Sequence, residues 1–89
     1  MRLVSWAYTK KYNIKALFDE FPSSTVIFRQ IKEYYFIYTI KWHHADPPVK
    51  RADLEEMERL LNLELGTYEG YLRRKVFHPR ENVSGLNRE

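Results

Sequence analysis

The spacing of apolar residues predicts an α+β domain of the ferredoxin-like kind: a βαββαβ sandwich in which two helices cover one face of a four-stranded antiparallel sheet. Three observations lead there. Runs of β-branched and aromatic residues alternate over residues 2–9, 25–43 and 71–77; apolar residues recur at helical spacing from Ile14 to Phe21 and from Leu54 to Leu61; and Pro22, Pro47, Pro48, Gly66 and Pro79 punctuate the chain between these runs.

Residues 2–9 place Leu3, Ser5 and Ala7 on one side and Val4, Trp6 and Tyr8 on the other, which predicts a first strand with its aromatic side in the core. Asn13 can cap a helix carrying Ile14, Leu17, Phe18 and Phe21 at i, i+3, i+4 and i+7, with Pro22 ending it. Residues 25–43 are too long for one ordinary strand and divide near Lys32 and Glu33 into a hairpin, although no Gly or Asn marks the turn. On its second arm Tyr34, Phe36, Tyr38, Ile40 and Trp42 are expected to face the core. Tyr35, Ile37, Thr39, Lys41 and His43 then face outward. Asp46, Pro47 and Pro48 break the strand. From about Val49 a helix follows, with Leu54, Met57, Leu60 and Leu61 on one stripe and Gly66 as its C-terminal stop. Residues 71–77 read as a last strand, with a short helix from Thr67 as the alternative.

Eighty-nine residues fit one compact domain, here residues 1–79, with 80–89 as a polar tail. The first eight residues are too polar for a secretory signal, and no apolar run reaches the ~20 residues of a bilayer span. Cysteine is absent, which excludes disulfides, thiolate metal sites and a cysteine nucleophile, and suits a cytoplasmic protein. The net charge of +3 argues against a nucleic-acid mimic, which would be acidic.

Catalytic patterns are missing. Ser5, Ser23, Ser24 and Ser84 stand in no nucleophile-elbow context, and the paired carboxylates Asp19–Glu20 and Glu55–Glu56 read as solvated helix charge. Gly66, Gly70 and Gly85 form no phosphate cradle. His43, His44 and Asp46 are ligand types for zinc, iron or manganese, but adjacent strand residues point to opposite faces and the set is incomplete. No enzyme activity, metal or cofactor is therefore expected.

What remains is a pattern of basic residues interleaved with aromatics: Lys10 and Lys11 before Tyr12, Lys41 beside Trp42 and His43, and Tyr71, Arg73, Arg74, Lys75 and Phe77. Aromatics on an open sheet stack bases while Arg and Lys contact phosphates. The expected function is a non-enzymatic binding module that contacts nucleic acid or a nucleoprotein through Tyr35, Lys41, His43, Arg73, Arg74 and Lys75. The alternative is a protein-interaction module, such as an adaptor or an inhibitor of viral or mobile-element origin, or a self-associating homodimer. Tyr, Trp, Phe and Arg are also the residues that anchor protein interfaces.

Overall fold

Three tight turns fold the chain up to Lys41 into an antiparallel meander, and two helices follow it. The computed structural model describes residues 1–77, with side chains described as far as Arg74. In chain order the elements are β1 (Leu3–Tyr8), β2 (Ile14–Phe18), β3 (Phe21–Ile31), β4 (Tyr34–Lys41), α1 (Arg51–Leu65) and α2 (Tyr68–Phe77). The sheet order is β1-β2-β3-β4, so β1 and β4 are its edges. The α+β class, the four antiparallel strands and the two helices agree with the sequence reading, but the order is ββββαα and not the ferredoxin-like βαββαβ. The tail at 80–89 lies outside the described residues.

Two elements account for the difference. The helix expected from Asn13 is β2, because Ile14, Ala16 and Phe18 are buried at period two with Lys15 exposed between them. The same residues satisfy helical spacing, but a segment this short, held between two hairpin turns, cannot offset the cost of helix nucleation. The last strand is helix α2. Gly70, Tyr71 and Arg74 share its inward side, and the β4 edge beside it, where a further strand would pair, is already engaged by side chains of α1.

The turns use residues other than glycine. Thr9 and Asn13 close the β1–β2 hairpin, with Thr9 N–H donating to the Asn13 carbonyl at 2.7 Å and Tyr12 at φ 63°. This is a three-residue loop whose last position takes the left-handed conformation. Lys32 takes that conformation too, at φ 54°, and the β3–β4 hairpin turns at Lys32 and Glu33 as the sequence suggested.

Each of the three strand pairings carries an irregularity, at Leu3/Ser5, Ala16/Phe18 and Ile27/Phe28. Such bulges bend and coil a sheet. Here the sheet curls until α1 packs against both edge strands. The core lies inside that curl: Ile14, Ala16, Phe18, Phe21, Val26, Phe28 and Tyr35 meet Met57 and Leu61 of α1, with Leu3, Trp6, Ile37 and Ile40 around them. The Tyr35 phenol is raised above its ordinary value, first by burial and then by its neighbour Tyr8.

The bulges also decide which side chains face inward. On β4 the core side holds Tyr35 and Ile37, then Tyr38 bulges out, and Ile40 returns to the core. The face expected for Tyr38 and Trp42 is therefore corrected: they are 52% and 47% exposed, and Tyr35 is buried. On β1, Trp6 and Leu3 pack inward while Val4 is exposed.

Helix α1 begins with the Lys50 N–H donating to the Asp53 carboxylate at 2.9 Å and ends at Gly66, φ 77°. Helix α2 then lies against α1 and β4. Gly70 makes this approach possible, since a Cβ there would stand 2.6 Å from the Glu33 carbonyl oxygen. Gly70→Ala should therefore destabilise the fold by about 1–3 kcal/mol, despite the ~1 kcal/mol of helix propensity that Ala gains. Urea denaturation measures this, and an unchanged or raised midpoint would show that α2 docks loosely.

Candidate functional site

An edge strand presents a row of free N–H and C=O groups, and on β4 helix α1 engages three of them with side chains. The Asn62 side chain is buried and accepts from the Tyr35 N–H at 2.9 Å while donating to the Tyr35 carbonyl at 2.9 Å. It also donates to the Glu58 carbonyl at 2.8 Å and accepts from the Thr67 hydroxyl at 2.7 Å. Both donors and both lone-pair positions are filled. One helical turn earlier, Glu58 Oε2 accepts from the Ile37 N–H at 2.9 Å. The geometry fits because i and i+4 on a helix are ~6 Å apart along the axis, close to the ~6.8 Å between alternate residues of a strand.

Glu58 also accepts from the Tyr71 hydroxyl at 3.1 Å, and the Arg74 guanidinium lies 4.5 Å from the centre of the Tyr71 ring. Burial is the leading influence on Glu58 and pushes its carboxyl above the ordinary value; the Ile37 amide, Tyr71 and Arg74 pull the other way. Burial, and then the Glu58 charge, push the Tyr71 phenol up. A carboxylate, a phenol and a guanidinium in contact are chemically suggestive. Glu58 and Tyr71 are nonetheless spent on each other and on the strand edge, and Arg74 packs on the Tyr71 ring with its Nε buried and without a hydrogen-bond partner among the described residues, so the cluster is a clamp between α1, α2 and β4.

The convex face of the sheet is uncovered by either helix. Pairing brings Ala7, Lys15, Ile27 and Thr39 into one row across the four strands, sets Arg29 beside Phe36, and sets Thr25 beside Lys41. The Arg29 guanidinium lies 3.7 Å from the centre of the Tyr38 ring, a cation–π stack on this open side. The four strands contain Lys15, Arg29 and Lys41 and no acidic residue. Acidic side chains collect instead on α1, where Asp53, Glu55, Glu56, Glu58 and Glu64 outnumber Arg51 and Arg59. The exposed Lys10, Lys11 and Lys32 sit on two hairpin turns at one end of the sheet, beside Tyr12, which is 82% exposed.

The residues predicted as contacts are therefore dispersed. Lys41 is on the open face. Tyr35 is buried and bonded to Asn62, which removes it from any surface. His43 follows β4, exposed, with its ring stacked on His44 and its Nδ1 accepting from the Ala45 N–H at 3.0 Å. Arg73 pairs with Glu33 at 2.5 Å, and Arg74 is half-buried against Tyr71 and Tyr34. Lys75 is in α2, and its side chain lies outside the described residues. Asp46 is not turned toward the histidine rings: its buried carboxylate accepts from the Ser24 hydroxyl at 2.6 Å and the Ser23 N–H at 3.0 Å, tying the loop after β4 to the start of β3. Lys15, Arg29, Phe36 and Tyr38 were missed as surface residues. The signal for Lys15 was its place between Ile14 and Ala16; for Tyr38 there was none without the bulge.

The fold and this layering define a small α+β protein whose basic, aromatic sheet face lies apart from an acidic helix, α1. A family model for YuzH, described as an uncharacterised protein, matches residues 2–76, and the chain belongs to that family. Searches of curated proteins and of solved structures each gave no match. Among the described residues no helix is long and apolar enough to cross a membrane.

Two outcomes follow from the clamp. Asn62→Ala should cost about 2–4 kcal/mol by urea denaturation, because it leaves the Tyr35 N–H and C=O buried without partners. A loss below ~0.5 kcal/mol would show that water replaces the amide at no cost. Glu58 binds its proton more tightly in the folded chain, so its contribution is full below the ordinary value of 4.5 and is lost as pH rises through the raised value. Wild type should then gain stability relative to Glu58→Gln as pH is lowered from neutral toward 4.5. A difference that stays flat with pH would mean that burial does not perturb this carboxyl.

Proposed function

We propose that the chain is a non-enzymatic module that binds single-stranded nucleic acid across the open face of its sheet. Lys15, Arg29 and Lys41 would contact phosphates, and the Arg29–Tyr38 stack together with Phe36 would offer π surfaces to bases. The observation that carries this reading is the charge of the strands: three cations and no carboxylate, with Asp19, Glu20 and Glu33 confined to the turns and five carboxylates on α1. A field of one sign over a sheet face draws in a polyanion, and cations that are free of salt bridges can exchange counterions for phosphates. Lys10, Lys11 and Lys32 extend the field at one end. Arg73 and Arg74, committed to Glu33 and Tyr71, are left out of the contact set; Lys41 stays in it, with His43 at its margin. The proposal sets this activity in the cytoplasm, where a chain without cysteine forgoes nothing.

Anisotropy titration of labelled single-stranded DNA and RNA oligonucleotides, repeated from low to physiological salt, tests it. Binding should weaken steeply with salt, and reversing Lys15, Arg29 and Lys41 to Glu one at a time should each lower the slope by about one ion while leaving thermal stability unchanged. Absence of binding at low salt would overturn the reading and move the search to a protein partner. Equal loss on reversing Arg73 would place the contact elsewhere.

A further inference from the structure

One aromatic residue sits where its backbone is strained and where packing returns little. Tyr12, in the β1–β2 turn, has φ 63° and is 82% exposed, and among the described residues its side chain makes no hydrogen bond, ring contact or ion pair. The left-handed region costs a bulky side chain free energy that Gly or Asn largely avoids. The turn itself does not use the ring. Thr9 and Asn13 close it through their backbones, the Thr9 hydroxyl accepts from the Lys11 N–H at 3.3 Å, and Tyr12 contributes only its N–H, donated to the Thr9 carbonyl at 3.1 Å. Asn or Gly would supply that same N–H. A strained residue that the fold does not require points to function.

The surroundings of the ring are cationic. Lys10 and Lys11 precede it, and Lys32, itself at φ 54°, tops the β3–β4 turn at the same end of the sheet, two strand spacings or ~10 Å away. All three lysines are exposed and make no salt bridge among the described residues, while Glu33 in the second turn is taken by Arg73. Ile14 pairs with Phe28, so Arg29 stands beside the base of the Tyr12 turn and joins it to the open sheet face. Resting on the single-strand reading of that face, we infer that the β1–β2 tip is its base-reading end: Tyr12 stacks on one unpaired base while Lys10 and Lys11 hold the neighbouring phosphates. The occupant follows from chemistry. Free cations match a polyanion, and only a strand whose bases are unstacked and unpaired presents a π face to a lone exposed ring. A membrane surface would also meet the lysines, but Tyr12 stands between Lys11 and Asn13 as the tip's one aromatic residue, too little apolar surface to insert.

The test pairs urea denaturation with anisotropy binding of the full chain to an oligothymidylate and to an abasic oligonucleotide of equal length. Tyr12→Asn should raise the urea midpoint, because Asn tolerates the left-handed conformation, and should weaken oligothymidylate binding about ten-fold or more. Its binding to the abasic strand, which the lysines hold, should change by less than about two-fold. Tyr12→Trp should restore affinity for the oligothymidylate without raising the midpoint. Unchanged oligothymidylate binding in Tyr12→Asn, an equal loss on both strands, or a lowered midpoint would each overturn the inference, and the sheet-face reading would stand as long as the wild type binds. A wild type that binds neither strand at low salt ends both. Attachment to phosphatidylserine vesicles that depends on Tyr12, without oligonucleotide binding, would overturn both in favour of a membrane contact.

Discussion

A meander of four strands has two open edges, and the structure depends on how α1 closes one of them. Asn62 imitates a strand residue by giving Tyr35 both an acceptor and a donor, and Glu58 repeats half of that service at Ile37. A helix can do this because its turn and the strand's two-residue repeat have similar lengths. The side chains that satisfy the edge sit on the same helix as Met57 and Leu61, which fill the curled sheet. Hydrogen bonding and apolar burial therefore fix α1 in the same place, and neither the core nor the edge forms without the other.

The arrangement has an electrostatic consequence. Placing a carboxylate against the strand edge requires partners for its remaining lone pairs, and from α2 the Tyr71 hydroxyl supplies one while the nearby Arg74 charge favours the ionised form. Helix α2 is thereby committed to the clamp through Tyr71 and Arg74, while Arg73 pairs with Glu33. The strand cations Lys15, Arg29 and Lys41 make no salt bridge among the described residues. Helix α1 thus holds an excess of carboxylates, and the strands hold charge of one sign.

Much of this was legible in the sequence, and the parts that were not have physical causes. Helix α1, its Gly66 stop and the hairpin at Lys32 and Glu33 followed from spacing and turn position. β2 did not, because Ile14, Leu17, Phe18 and Phe21 satisfy helical spacing while Ile14, Ala16 and Phe18 satisfy strand spacing; only tertiary pairing chooses between them. On β4 nearly every residue is apolar or aromatic, so the alternation had no polar side to fix its phase. The bulge at Tyr38 then shifted the phase midway. The apolar alternation alone therefore points Tyr35 outward and Tyr38 inward, opposite to their places in the sheet. The function of Asn62 was hidden as well, since a lone Asn in an amphipathic helix carries no mark of a strand partner.

The account rests on the sealing of β4 by α1, and amide hydrogen exchange reads that seal directly. The Tyr35 and Ile37 amides should exchange only through global unfolding, with protection equal to that of the central strand β3, while amides along the free edge of β1 exchange by local opening. Rapid exchange at Tyr35 and Ile37 under native conditions would contradict it, and would mean that α1 covers the core without closing the edge.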